Sequence, residues 1–309
     1  KGQVIVLEST SYPGTTKDEI YKKIKNRFVF GEDFFLGFSS ERIDPGINEN
    51  SIQKIPKVVS GYSKNCLKVI SNFYSKSFND IVESKNIEIA EFSKLLENVY
   101  RSVNIGFINE MKILADKMKI DIFDVIDVAS TKPYGFRRFF PGPGIGGHCI
   151  PVDPHYLYWK SVKVGFPAKF IKLSGEINIL FLNFLLKKIL KNLKYKKIPL
   201  IKSKILILGL SYKKNLDDIR ESASIKLIES LFKKGIKSIS VYDPYVEGKI
   251  LNKKIKKLKN LNSGTIRSFD IVVLMTDHDL FDYDLIKNNS KLIIDCRGRY
   301  GVANNVQRG

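Results

Sequence analysis

A single thiol, Cys149, closes a run that is almost free of side chains, Pro141-Gly142-Pro143-Gly144-Ile145-Gly146-Gly147, and stands four residues before Asp153. Such a loop lets a ligand approach the backbone closely, and a cysteine at its end is placed for covalent catalysis. An isolated cysteine is more often an inert packing group, so its meaning depends on partners elsewhere in the chain. Lys94 and Asn98 stand four apart in a stretch of helical periodicity and share one helix face, where a cation and an amide can stabilise an oxyanion. The same pair is also ordinary helix surface. Asp153 is a candidate acid. Thr10 and Glu41 follow the apolar runs 4–7 and 34–38, at strand ends where α/β sheets present ligand-facing groups. Gly142, Gly144 and Gly147 satisfy G-x-G-x-x-G literally, but no strand precedes them and no βαβ unit opens there, so they are not a dinucleotide fingerprint.

The elements that must carry these residues are legible from hydrophobic pattern. Short strands are expected at 4–7, 34–38, 58–59 and 80–83, with helices at 15–28 and 65–75, as in half of an alternating α/β domain. Helical periodicity then takes over: Phe92, Leu95, Leu96, Val99, Val103 and Phe107 recur at three- and four-residue spacing, and the pattern continues through Met111, Leu114 and Met118. A helix at 122–129, the Gly/Pro loop and a long apolar helix at 168–194 complete this middle region. Beyond Pro199, buried-type strands at 204–209, 239–243, 270–275 and 291–295, with a helix at 222–234, begin a second α/β unit.

The chain has 309 residues, 43% hydrophobic and 27% charged, enough for about two ordinary domains. Three cysteines lie far apart with no C-x-x-C pair, which fits neither a disulfide scaffold nor a zinc ribbon and fits a reducing cytoplasm. A net charge of +20 raises nucleic acid or anionic lipid as partners, but the lysines are spread over nearly every segment and no nucleic-acid signature stands out. The expectation is no nucleic acid and no membrane insertion, since the apolar run 177–186 is too short to span a bilayer.

Five motifs in order, Glu8-Ser9-Thr10, Ser40-Glu41-Arg42-Ile43-Asp44-Pro45-Gly46, Ser93-Lys94 through Asn98, Pro141 through Cys149 to Asp153-Pro154, and Tyr212-Lys213-Lys214 with Asp218-Ile219-Arg220-Glu221-Ser222, resemble the UDP-glucose/GDP-mannose dehydrogenase family across essentially the whole chain. Tyr12-Pro13-Gly14-Thr15-Thr16, Thr131 to Phe136 and His148 resemble its UDP-N-acetylhexosamine branch, the members that oxidise UDP-N-acetylglucosamine most of all.

The resemblance implies two Rossmann-like doubly wound lobes, the first truncated, joined by a helical central domain with a long helix. Its boundaries would be 1–84 for part of the NAD-binding domain, 85–198 for the central and dimerisation domain, and 199–309 for the UDP-sugar-binding domain. It implies a four-electron oxidation of the sugar C6 alcohol to a carboxylate with NAD in nucleotide-sugar metabolism. Cys149 would form the thiohemiacetal and thioester, Lys94 and Asn98 would hold the oxyanion, and Asp153 would support proton transfer. Glu41 would be an acid/base and Thr10 would hold a water, both beside the cofactor. Gly144, Gly146, Gly147 and Lys213 would contact the UDP-sugar, Arg220 the cofactor, and Arg137 or Arg138 a neighbouring subunit's site in a homodimer. UDP-N-acetylmannosamine, UDP-N-acetylgalactosamine, UDP-glucose and a non-catalytic UDP-sugar binder stand as alternatives. Ser40 stands where the family usually has proline and Ile43 where an acidic residue is common. The strand and glycine turn that grip the NAD pyrophosphate are expected before Lys1, so the cofactor site of this stretch is expected to be incomplete.

Overall fold

The computed structural model describes residues 2–43, 46, 54–147, 149–246, 255–301 and 303–309. The motif residues Asp44, Pro45 and His148 lie outside them. The chain divides into two compact units, residues 1–101 with 152–172, and residues 102–151 with 173–309.

The first unit is built on a four-stranded sheet in the order β1-β2-β3-β4, with β1 Gln3–Leu7, β2 Phe34–Phe38, β3 Lys57–Gly61 and β4 Ile81–Glu83. β1 runs parallel to β2 and β3 parallel to β4, but β2 and β3 are antiparallel, with Phe38 opposite Ser60. Short apolar runs carry no information about direction, and this reversal was not legible in the sequence. The expected helix at 15–28 is shorter than its pattern: a π-helical turn, Thr16–Tyr21, runs into the three-residue α1, Lys22–Ile24. α2, Lys64–Tyr74, starts at Ser63, whose hydroxyl accepts from the Cys66 amide, and buries Ile70 and Tyr74 against Val59. β3 and α2 meet closely, since a Cβ on Gly61 would lie 2.2 Å from the Leu67 nitrogen. α3, Ile87–Met118, begins in this unit and continues into the second. α5, Asp153–Lys163, belongs to the first unit.

In the second unit, α4 (Ile122–Ala129) is capped by the Asp121 carboxylate, which also pairs with Arg308 at 2.8 Å. The long helix α6, Lys169–Tyr195, begins in the first unit and continues into the second, where it buries Ile177, Phe181, Leu185, Ile189 and Leu193, whereas Leu173, Ile179 and Leu180 are exposed. Exposure also corrects the expected apolar stripe of α3, where Leu95 and Val99 are buried but Phe92, Leu96 and Phe107 are not. Its six-stranded sheet has the order β10-β9-β8-β5-β6-β7, from β5 Lys204–Leu208, β6 Ser238–Tyr242, β7 Lys256–Lys257, β8 Ile271–Leu274, β9 Ile293–Asp295 and β10 Val306–Arg308. Every pairing in it is parallel. Alternate residues of β5 face opposite layers: Ile205 and Ile207 pack with Leu227, Ile228 and Leu231 of α7 (Ala223–Lys233), and Leu206 and Leu208 pack with Ile266 of α8 (Ser263–Arg267) and Ile286 of α9 (Tyr283–Asn289). Each such side chain contributes about 1.5–3 kcal/mol on burial. The strand order is that of a doubly wound dinucleotide fold, and it reverses between β5 and β8, where the carboxyl ends open a ligand crevice.

Candidate functional site

In the first unit α3 presents Lys94 and Asn98 one turn apart on one face. The Asn98 amide is buried and donates to the Asp153 carboxylate at 2.6 Å. Asp153 is itself buried, at the first position of α5 with Pro154 behind it, so the helix N-terminus favours its negative charge. Lys94 is half-buried and has no hydrogen-bond or ion-pair partner among the described residues. Sequence reading placed no helix at 153–163, although Asp-Pro at its start is an N-terminal signal.

Thr10 follows β1 and is half-buried. Just before it, the Glu8 carboxylate accepts the Tyr74 hydroxyl at 2.6 Å and Lys57 Nζ at 3.3 Å. Burial pushes the Glu8 carboxyl up, but the Tyr74 hydroxyl and the Lys57 ammonium outweigh it and hold the group below its ordinary value. Lys57 is itself buried, over the rings of Tyr74 and Phe78. Glu41 follows β2 and is exposed, and its carboxylate accepts the amides of Arg42 at 2.7 Å and Ile43 at 2.6 Å. Arg42 reaches Glu97 on α3 at 2.7 Å, so the Glu41 loop is fastened to the helix that carries Lys94 and Asn98.

In the second unit Cys149 is exposed and Cys296 is buried, as is Cys66 in the first. Burial pushes the Cys296 thiol up to about 12, which leaves it unreactive near neutral pH. The glycines before Cys149 rest on Tyr212: a Cβ on Gly146 would lie 2.3 Å from Tyr212 Cβ, and one on Gly147, whose φ is +87°, would lie 2.9 Å from the ring. Gly147 also donates its amide to the Arg220 carbonyl at 3.0 Å. Arg220 is exposed, interacts electrostatically with Cys149, and is held by Asp218 through contacts of 2.6–3.1 Å. Lys213 is half-buried and its carbonyl accepts from the Ser211 hydroxyl at 2.9 Å. Gly144 and Gly146 line a small pocket at the carboxyl ends of β5 and β8 with Tyr212, Ser224, Thr276 and Arg297. Thr276 and Arg297 were missed in the sequence because each sits singly past a strand with no spacing to mark it. Arg137 and Arg138 are exposed, and Arg138 pairs with Asp127 at 3.3 Å.

The crevice of the second sheet is partly filled by its own side chains. Asp243, just after β6, accepts the amides of Leu210, Ser211, Tyr245 and Val246 and meets His278 Nε2 at 3.0 Å. His278 Nδ1 accepts the Asn215 amide at 3.0 Å, so the ring proton sits on Nε2. Ser211 Oγ faces the same nitrogen at 3.2 Å, which rules out a serine–histidine–aspartate relay, because such a relay needs the two partners on opposite nitrogens. Burial alone would raise the Asp243 carboxyl, but His278 and the backbone donors hold it well below the usual carboxylate range. A carboxylate so occupied does not fit the ribose of a dinucleotide. Thr10 and Glu41 follow the carboxyl ends of β1 and β2, the edge of an α/β sheet at which ligands bind.

The fold and these sites define an α/β protein of the dinucleotide-fold class with a solvent-accessible thiol beside a glycine loop. The chain belongs to the UDP-glucose/GDP-mannose dehydrogenase family: its central domain matches residues 88–179 and its UDP binding domain residues 206–301. It is 32% identical over 303 residues to protein CapL of Staphylococcus aureus, covering 96% of this chain and 70% of that protein. It is 31% identical over 286 residues to UDP-N-acetyl-D-glucosamine 6-dehydrogenase of Salmonella typhi, covering 91% of this chain and 66% of that enzyme. Among solved structures it resembles a UDP-D-ManNAc dehydrogenase of Pyrococcus horikoshii, with a TM-score of 0.84, 28% identity, and coverage of 97% of this chain and 70% of that one. The chain thus spans about two thirds of the length of these relatives. Dehydrogenases of this family use NAD. Among the described residues no helix is long and apolar enough to cross a membrane.

Proposed function

We propose that the protein carrying this chain oxidises C6 of a UDP-N-acetylhexosamine, UDP-N-acetylglucosamine first among them, to the uronate with two equivalents of NAD. The exposed Cys149 at the end of a glycine loop packed on Tyr212 carries this reading. NAD, when bound, takes up the two hydrides. Cys149 Sγ would add to the aldehyde carbon to give a thiohemiacetal, which becomes a thioester on oxidation; water then breaks the C–S bond, releasing the uronate and restoring the thiol. Lys94 and Asn98 would stabilise the oxyanion, and Asp153, held by Asn98, would support proton movement. Thr10 would hold a water, and Glu41 would act as acid/base once its carboxylate leaves the Arg42 and Ile43 amides.

In the same reading Gly144, Gly146, Gly147 and Lys213 contact the UDP-sugar, Arg220 the cofactor, and Arg137 or Arg138 a neighbouring subunit. Residues 1–84 serve the cofactor, 85–198 catalysis and dimerisation, and 199–309 the UDP-sugar. The exposed Leu173, Ile179 and Leu180 on α6 support a homodimer, and the nucleotide-sugar substrate supports a cytoplasmic setting. NADH absorbance with a panel of UDP-sugars tests the proposal. UDP-N-acetylglucosamine is expected to give the highest kcat/KM; preference for UDP-N-acetylmannosamine would reassign the epimer, and no NADH with any UDP-sugar would overturn the dehydrogenase reading.

A further inference from the structure

Glu91 is a carboxylate that the chemistry above leaves unused. It is 1% exposed, on α3, three residues before Lys94 and seven before Asn98, and therefore on the same helix face as both. Taking a carboxylate out of water costs several kcal/mol unless donors replace the solvent. Here the donors come from one segment: the Thr16 amide at 2.8 Å and the Thr16 hydroxyl at 2.7 Å reach one oxygen, and the Gly14 amide reaches the other. Burial pushes the Glu91 carboxyl up, and the Thr16 and Gly14 donors partly offset that.

The helical turn that begins at Thr16 could have been capped locally. Its cap-position residue, Thr15, makes no such bond; its hydroxyl turns back to the Tyr12 carbonyl and the Ser11 hydroxyl. The cap is supplied instead from 75 residues further along the chain. Those Thr15 bonds tie residues 11–15 to one another, directly after Thr10. The Tyr12 ring meets Trp159 at 5.0 Å and lies under Lys160 at 4.9 Å, both on α5, the helix that begins with Asp153. One face of α3 thus fastens the segment after Thr10 through Glu91 and the start of α5 through Asn98.

We propose that Glu91 is a positioning residue that holds the Thr10 segment in register with Lys94 and Asn98. The role rests on the dehydrogenase reading above. It touches neither substrate nor cofactor, and its effect is on geometry at the reacting carbon, where a misplacement of about 1 Å can cost about a hundredfold in rate.

The test uses Glu91→Ala, Glu91→Gln and Thr16→Val in the protein that carries this chain, with kcat and KM read from NADH formation. Glu91→Ala is expected to lower kcat by about tenfold or more with the KM for the UDP-sugar within about twofold, the pattern of an interaction that matters in the transition state. Glu91→Gln keeps an oxygen for Thr16 but turns an NH2 toward the Gly14 amide, so its kcat is expected to fall between the two; it also serves if the alanine variant does not fold. Thr16→Val should lose part of the same effect. Unchanged kcat in Glu91→Gln and Thr16→Val, or a raised KM with kcat kept, would overturn the positioning role while leaving the dehydrogenase reading intact. A wild-type protein that forms no NADH with any UDP-sugar would overturn that reading, and this role with it.

Discussion

Asn98 donates its side-chain amide to Asp153 across 2.6 Å, joining the middle of α3 to the first residue of α5. Both side chains are buried, so the bond forms where its loss is expensive. The amide has a second consequence: it keeps Asp153 pointed along a fixed direction without adding a positive charge.

Asn98→Ala should therefore lower stability by about 1–3 kcal/mol, the cost of leaving a buried acceptor short of a donor. Asn98→Asp should be worse, because it sets two buried carboxylates against each other. Urea unfolding midpoints of the two variants check this, and a midpoint unchanged in both would show that solvent reaches Asp153 freely.

Cys149→Ser, in the protein that carries this chain, should lower NADH formation roughly a hundredfold or more, since a serine hydroxyl is far harder to ionise near neutral pH than a thiol. UDP-sugar affinity should stay within about threefold, because the substitution changes one atom. Steady-state rates with calorimetry measure both, and normal turnover would eliminate the covalent route.

Gly146→Ala puts a methyl group 2.3 Å from Tyr212 Cβ. The loop must then lift from Tyr212, with an expected cost of about 1–3 kcal/mol in overpacking and weaker UDP-sugar binding. Tyr212→Gly in the same chain should recover part of the affinity by removing the clashing carbon. Calorimetric titration with UDP-N-acetylglucosamine distinguishes these variants.

Much of this was written plainly in the chain. β5 and α7 are legible because an apolar run ends at Gly209, and Ser222 stands at the N-cap of the helix that follows, its hydroxyl accepting from the Ser224 amide. β7 and β10 were invisible, being two and three residues long and made largely of polar side chains at the sheet margins. Glu91 was hidden for a different reason. An acid on a helix with Glu88 and Glu97 nearby reads as solvated surface, and only the fold of residues 14–16 against α3 reveals that it is buried. Leu96 misled in the opposite sense, since helical spacing marks a face as apolar but does not say what covers it.

Acid should act on Asp243. Its folded-state carboxyl is held well below the usual range, so its contribution to stability is complete above the unfolded value of about 4 and is lost as pH falls from there toward the folded value. Asp243→Asn should be less stable at neutral pH and should show a flatter decline below about pH 4. Thermal midpoints across that range test it; parallel declines in the two proteins would assign acid sensitivity to other groups.

The division of the chain into interleaved units bears on the order in which it can fold during synthesis. The first unit needs residues 152–172 as well as residues 1–101, and the stretch between them belongs to the second unit. A nascent chain that has emerged only as far as the end of α3 therefore holds a sheet without α5, and Asn98 on that helix has yet to receive Asp153. Domains usually close in the order they leave the ribosome. Here closure of the first waits for the loop bearing Cys149 to pass out of the exit tunnel, so the Cys149 thiol is already in the open before Asp153 meets Asn98.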